Sequence, residues 1–302
     1  MIKLFTHTDL DGIGCAVLAK FVFGDLVDIS FCNYDDINEE VSKFIVNGND
    51  VVMCHITDIS ITNELANEID KKYDNFYLLD HHSTALYLND YSWCTVKVEN
   101  EHTYIKTSGT ELYYNWLVSK GLIGRTDSLD YFVELVRNYD TWRWSTLGHD
   151  GVICKKINDL LYLYGRDNFI NWCLDKLNFN IPIYLNESDR LVLEIEQNNI
   201  DNYINKKNEQ MLIIPLCGKT CGVVFAERYF SELGNKLCQM HPEIDFVAMI
   251  DMRGTVSYRT IKDDIDLGKD VAKLFGGGGH AKAAGSIFAG AQFDVINSIF
   301  KI

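Results

Sequence analysis

Along the first eighty residues, apolar positions follow two periods that alternate. Ile2-Lys3-Leu4-Phe5 is a short apolar run of the kind that forms a buried strand, and Gly12 to Phe23 carries apolar residues at helical spacing. Val27 to Phe31 reads as a strand, after which Ile37, Val41, Phe44 and Ile45 share one helical face. Asp50-Val51-Val52-Met53-Cys54 is a further strand, Thr62 to Lys72 a helix, and Phe76-Tyr77-Leu78-Leu79 another strand. Strands separated by helical patterns predict βαβ units, hence a mainly parallel sheet flanked by helices.

A helical region follows, with helical periodicity over Thr110 to Ser119, Leu129 to Tyr139, Ile153 to Leu163 and Asp167 to Leu177. Ser188 to Glu209 is polar and rich in Asn, with apolar residues at Leu191, Val192, Ile195, Ile200 and Ile204, as in a solvated connecting helix. Beyond residue 210 the pattern changes. Met211 to Ile214, Cys221 to Phe225, Phe246 to Ile250 and Thr255 to Thr260 are short strands, with a helix over Ser231 to Met240 and a closing glycine run, Gly276 to Gly279. The expected architecture is α/β in two domains. An N-terminal parallel-sheet domain spans 1–185, a connecting helix 186–209, and a smaller C-terminal α/β domain 210–302.

Composition narrows the chemistry. With 47% apolar and 24% charged residues, the 302-residue chain is expected to be globular and cytoplasmic, with no membrane span and no signal-peptide core behind Met1. The nine cysteines are scattered in apolar stretches, as buried thiols are; the Cys217–Cys221 pair lacks a second pair or a nearby histidine to complete a zinc site. A formal charge of −15 argues against long nucleic acid, whose binders carry a basic stripe. A nucleic-acid substrate is expected to be short and gripped by a few placed cations. The pattern leaves monomer and homodimer both open.

Candidate chemistry collects where strands end. Thr6-His7-Thr8-Asp9-Leu10-Asp11-Gly12 follows the first strand; His55-Ile56-Thr57-Asp58 and Asp80-His81-His82 follow two others, and Asp140 closes a helical stretch. In an open parallel sheet, ligands bind beyond the carboxyl ends of the strands. A helix N-cap accounts for one Asp, but a His and two Asp on one loop exceed what a cap needs. Carboxylates converging there repel one another unless cations sit between them, and a pair of divalent metals is the simplest resolution. Mixed Asp and His donors without thiolate suit manganese.

These residues resemble the four signature motifs of the DHH phosphoesterase superfamily: Thr6 to Gly12, the isolated Asp58, the triplet Asp80-His81-His82, and Asp140. Gly276-Gly277-Gly278-Gly279-His280-Ala281-Lys282-Ala283-Ala284-Gly285 resembles the glycine-rich signature of the companion DHHA1 domain. Within the superfamily the chain looks most like the nanoRNase B oligoribonucleases, on Tyr139-Asp140-Thr141-Trp142 and Ala226-Glu227-Arg228-Tyr229 as well as the first motif. The single residue between His7 and Asp9 departs from relatives that space the first histidine four residues ahead.

The resemblance implies two metal ions, manganese by preference. His7, Asp9 and Asp58 would surround one; Asp11, Asp58, His81 and Asp140 the other, with Asp58 bridging. Asp80 would orient a neighbouring histidine, and His82 would face the substrate. Two metals about 3.5–4 Å apart can hold a bridging hydroxide and clamp an in-line displacement, so no Ser or Cys nucleophile is needed. His55 is read as buried or outlying. In the second domain, Gly277, Gly278, Gly279, His280 and Lys282 are expected on phosphate, together with Ser257 and Arg259 of a Ser-x-Arg strand and with Arg228. An aromatic such as Tyr229 or Trp142 offers a surface on which a base can stack. The implied activity is manganese-dependent degradation of very short RNA oligonucleotides to mononucleotides. The rivals are an adenosine 3′,5′-bisphosphate phosphatase, a cyclic-dinucleotide phosphodiesterase and an inactive nucleotide-binding sensor.

Overall fold

The computed structural model describes residues 1–47, 52–101, 103–288, 290, 294 and 297–298, in two compact units, Met1–Leu193 and Glu194–Ile302. The first unit is built on five parallel strands: β1 (Ile2–Thr6), β2 (Val27–Phe31), β3 (Met53–Thr57), β4 (Phe76–Asp80) and β5 (Cys94–Val96), in the order β2-β1-β3-β4-β5. All four pairings are parallel. The central strands are covered on both faces, which is why they read as continuous apolar runs. Helices α1 (Leu10–Phe23), α4 (Gly109–Ser119), α5 (Asp127–Asp140), α6 (His149–Tyr164) and α7 (Arg166–Leu177) share one core, to which β1 contributes Ile2 and Leu4. On the other face, α2 (Ile37–Val46) and α3 (Asn63–Lys72) share a core with Phe5, Cys54, Ile56 and Leu78.

Chain direction reverses its progress across the sheet at β1, which pairs with β2 on one side and β3 on the other. A sheet of this order opens its ligand crevice beyond the carboxyl ends of the strands at that switch point. The loops after β1 and β3 are therefore where chemistry is expected, and they carry His7, Asp9, Asp11 and Asp58.

The observed strand β3 begins at Met53 and runs to Thr57, whereas the apolar pattern predicts a strand ending at Cys54. Asp50 and Val51 of that expected strand lie outside the described residues. The shift matters, since it puts His55 in mid-strand and Asp58 immediately past the strand end. Strand β5 has no counterpart in the periodicity reading, because three residues are too few to show a period.

The helix α8 (Glu187–Gln210) contains the boundary between the two units. The second unit has a six-stranded mixed sheet in the order β10-β11-β9-β8-β7-β6. Its strands are β6 (Leu212–Leu216), β7 (Lys219–Phe225), β8 (Phe246–Asp251), β9 (Thr255–Arg259), β10 (Gly278–Gly279) and β11 (Ala283–Ile287). Only β7 and β8 pair in parallel, and α9 (Phe230–Met240) makes the crossover between them. The glycine run is not a loop throughout: Gly278 and Gly279 pair with Gly285 and Ala284, and β11 pairs in turn with β9. Glycine and alanine have little strand propensity, so this edge is made by close approach and not by composition. A Cβ on Gly277 would lie 2.0 Å from the Gly285 carbonyl oxygen.

Among the described residues, no helix is long and apolar enough to cross a membrane. Because Ile56 is fully buried at the centre of β3, Ile56→Ala is expected to destabilise the first unit by about 2–5 kcal/mol. A lowered denaturant midpoint with an unchanged slope would register that loss.

Candidate metal centre

The β1–α1 connection supplies three donors because the helix starts almost at once. Asp9 is the N-cap of α1, accepting a hydrogen bond from Gly12 N at 3.1 Å, which orients its carboxylate at the strand end. Its second oxygen lies 3.0 Å from His7 Nδ1. Burial works to raise the Asp9 carboxyl, and the neighbouring His7 imidazole holds it below the usual carboxylate range. Gly12 is obligatory here, since a Cβ at that position would sit 2.2 Å from the His7 carbonyl oxygen.

Asp11 points elsewhere. It is buried, and its two oxygens accept from Gly109 N at 2.5 Å and Thr110 N at 2.8 Å, the first amides of α4. Thr110 Oγ1 also donates to the Asp11 carbonyl at 2.6 Å. A helix N-terminus presents free N–H groups, so α4 satisfies both oxygens of a carboxyl group that is buried. Gly109 makes the fit possible: a Cβ there would lie 2.5 Å from Asp58 Cβ. The segment Thr107-Ser108-Gly109-Thr110-Glu111 escaped the motif reading. Its signal was the Ser-x-x-Glu spacing of a helix start, and Ser108 does cap α4 by accepting from Glu111 N at 3.2 Å.

Asp58 follows β3 in the left-handed region, φ 57°, which Asp tolerates better than most residues. Its Oδ1 is 3.2 Å from His81 Nε2, and its Oδ2 is 4.0 Å from His7 Nδ1. Donor atoms gather in three overlapping groups: His7 with Asp9 and Asp58, Asp11 with His81 and Asp140, and Asp58 with Asp80, His81 and His82. His81 Nε2 is 3.5 Å from Asp11 Oδ2 and 3.6 Å from Asp140 Oδ2.

These short distances are not hydrogen bonds. His7 Nδ1, Asp58 Oδ2 and His81 Nε2 are buried and have no hydrogen-bond partner despite the carboxylates around them. Buried polar atoms left unpaired are rare and costly, and here they converge on common points. Hard oxygen and imidazole nitrogen donors with orphaned lone pairs fit divalent cations. The carboxyls behave accordingly. Burial, followed by the charges of Asp11 and Asp9, raises Asp58 well above its ordinary range and pushes Asp140 up to about 8.

Asp80 ends β4 and is fully engaged. Its Oδ1 accepts from His81 N at 2.8 Å, from His82 N at 3.4 Å and pairs with His82 Nδ1 at 2.7 Å, while Ser60 donates to Oδ2. Burial works against the Asp80 charge, but His82 holds its carboxyl below the usual range; in return Asp80 raises the His82 imidazole. The outer nitrogen of His82 is 3.1 Å from the Tyr34 hydroxyl, a residue that strand-end motifs could not single out. His55 takes no part in these groups. It is buried among Phe23, Tyr77, Tyr113 and Trp116, bonded to Tyr113 Oη at 2.8 Å and pushed down to about 3 by burial, so it stays neutral. Cys15 is likewise a packed thiol, raised above its ordinary range by burial.

The remaining candidates lie in the second unit. Arg259 on β9 donates from Nη1 to Tyr258 O at 2.9 Å and from Nη2 to Ser231 Oγ at 3.3 Å. Ser257 lies on the same face two residues earlier, in register with Gly285. The His280 amide donates to the Ala283 carbonyl at 2.8 Å, closing a tight turn with an exposed His280 side chain. The Lys282 ammonium is tied to Asp263 Oδ1 at 2.8 Å, and Arg228 lies over the rings of Tyr203 and Tyr229 at 5.0 and 4.8 Å. Both cations thus have intramolecular partners.

No family model matches the chain. Oligoribonuclease NrnB of Bacillus subtilis (strain 168) is 36% identical over 294 residues, which cover 94% of this chain and 72% of that protein. Among solved structures, exonuclease RecJ bound to manganese aligns with a TM-score of 0.61 at 14% identity, over 98% of this chain and 88% of that one. The pGpG-specific phosphodiesterase PggH from Vibrio cholerae aligns at 0.53 and 14% identity, over 99% and 97%. At such identities the structural matches speak to the fold.

The raised carboxyls have a thermodynamic consequence. Folded Asp140 keeps a proton up to about pH 8, whereas the unfolded chain releases it near 3.8. The native state binds more protons over that window, so metal-free stability is expected to fall as pH rises from about 4 to about 8. Thermal unfolding in chelator at pH 6 and pH 8 tests this. Added divalent cation should raise the Tm at both, and by more at pH 8, where fewer protons compete for the donors.

Proposed function

The chain belongs to the family of the oligoribonuclease NrnB and is a DHH-type hydrolase of phosphodiester bonds, and from that premise we propose that it degrades very short RNA oligonucleotides to mononucleotides with two bound manganese ions. The observation that carries the proposal is the set of overlapping donor groups around Asp58 and His81, with buried unpaired atoms on His7, Asp58 and His81. The Met1–Leu193 unit is then the catalytic DHH domain, and the Glu194–Ile302 unit the substrate-holding DHHA1 domain.

His7, Asp9 and Asp58 would hold one cation; Asp11, Asp58, His81 and Asp140 the other. Two such cations supply neutralisation of phosphate charge and an acidified water. Every other requirement falls to the chain. In hydrolysis a water oxygen bonds to phosphorus, the ester bond to the departing nucleoside breaks, and the departing oxygen takes a proton. His82, raised by Asp80 and half exposed, is the side chain suited to face the phosphate and give that proton. Asp80 acts through it, fixing the imidazole with Nδ1 bound and Nε2 towards the exposed Tyr34 hydroxyl. In the second unit, the Arg259 guanidinium, Ser257, the Gly277–Gly279 amides and His280 are a set suited to a terminal phosphate, with Lys282 and Arg228 as supporting charge.

Acidity supports the short-substrate reading. At −15 the chain would repel a long polyanion, while a few neutralised phosphates suffice for an oligomer of a few nucleotides. Hydrolysis of a labelled RNA ladder, from dimers to long chains, with manganese and with chelator, is the test. Manganese-dependent release of mononucleotides, fastest on the shortest chains, is expected. Turnover of a bisphosphate nucleotide or cyclic dinucleotide with no RNA cleavage would replace the substrate and keep the metal chemistry.

Asp80→Ala and His81→Ala are expected to abolish hydrolysis in a folded protein, and full activity in Asp58→Ala would remove the shared-ligand arrangement. Arg259→Ala is expected to raise KM mainly for substrates with a terminal phosphate, leaving kcat nearly intact; steady-state kinetics on phosphorylated and unphosphorylated dimers separates the two.

A further inference from the structure

Two large exposed aromatic rings neighbour the donor groups, Tyr34 in space and Trp142 along the chain, and their π-faces have no part in holding cations. Trp142 follows Asp140 by two residues, is 69% exposed and has φ 62°. A bulky side chain enters that left-handed region only where its surroundings hold it there. The hold is visible: Trp142 N donates to Tyr139 O at 3.1 Å, and Ser145 donates to the Trp142 carbonyl from N at 3.3 Å and Oγ at 2.9 Å. The Trp142 ring leans on Trp144, centroids 5.4 Å apart, and Trp144 stacks on the part-buried Tyr139 at 6.1 Å. One end of this row of rings is packed and the other is left open.

Tyr34 is the second ring. It is 59% exposed, its centroid is 4.9 Å from that of His7, and its hydroxyl bonds with His82. Tyr34 thus lies against His7 and His82, and Trp142 stands two residues beyond Asp140 at the end of α5. Tyr229, the other aromatic singled out by sequence, differs: its hydroxyl donates to Glu196 at 2.6 Å, Arg228 covers its ring, and Tyr203 meets it edge-on.

Cations between carboxylates recognise any phosphodiester alike. What distinguishes a nucleotide is its base, and every base has a π-face that can stack on an aromatic side chain without regard to sequence. We propose that Trp142 and Tyr34 are stacking platforms for two nucleobases flanking the scissile phosphate. The substrate class is then unpaired oligonucleotides of at least two nucleosides, selected by the presence of bases and not by their identity. This rests on the phosphodiesterase reading above and adds the source of its selectivity.

The test compares binding of adenosine 5′-monophosphate and ribose 5-phosphate, which differ only in the base, to the full chain with manganese. Calorimetry is expected to give a preference for the base-bearing ligand of about 5- to 100-fold in the unmodified protein. Trp142→Asn removes the ring, while Asn accepts the left-handed backbone, and should collapse that preference; Trp142→Phe should keep most of it. Tyr34→Leu should raise KM for diadenylate about fivefold or more relative to Tyr34→Phe, which keeps the ring and loses only the hydroxyl. A preference that survives in the double variant Trp142→Asn with Tyr34→Leu, or an equal loss of affinity for both ligands, would overturn the proposal. Diadenylate hydrolysis without any base preference would overturn it too and leave the hydrolase reading standing. Base preference without hydrolysis of any oligonucleotide would do the reverse.

Discussion

Asp9, Asp11, Asp58 and Asp140 crowd one crevice, and their mutual repulsion is the constraint around which the first unit is arranged. Each local feature of that crevice offsets the repulsion in a different way. The amides at the start of α4 take the charge of Asp11, and the His7 imidazole answers Asp9. Asp58 and Asp140 have no such fixed partner and are pushed towards their neutral forms by burial. Divalent cations bound among these donors would relieve what the protein leaves unbalanced, and folding and metal binding would then be coupled through the same few carboxylates.

The same economy explains why Gly12 and Gly109 are glycines. Donors from four separate loops reach one place only if backbones approach closer than a Cβ permits, and at both positions a side chain would collide with a donor residue. Around this assembly, the Ser60–Asp80–His82–Tyr34 chain runs from buried to exposed, with His82 Nδ1 on Asp80 and Nε2 on the Tyr34 hydroxyl. On the proposed reading the charged centre and the solvent-facing rings would divide the work: carboxylates and imidazoles would hold cations, and aromatics would read what a cation does not distinguish.

The second unit places its candidate phosphate contacts on a sheet edge and on strand β9. Its glycine run forms a sheet edge, with backbone amides brought close by the absence of side chains, and Arg259 is oriented by Ser231 and by its own strand. Lys282 and Arg228 are engaged with Asp263 and with Tyr203 and Tyr229, so their charge is shared with neighbours.

The parallel sheet, its flanking helices and the acidic motifs at strand ends were legible from the chain alone, because a strand covered on both faces and an amphipathic helix each impose their own period on the sequence. Which residues could be donors was also legible, since carboxylates and imidazoles after strands have few other uses. Tertiary structure alone decided how those donors divide: that Asp58 faces both His7 and His81, that Asp11 turns to the α4 amides, and that His55, one residue type among several histidines, lies in an aromatic core. It alone brought Gly109, Ser60 and Tyr34 to the site, from segments whose local pattern speaks only of a helix start or a loop. Periodicity records which side of an element is buried; it does not record which distant backbone or ring will lie against it.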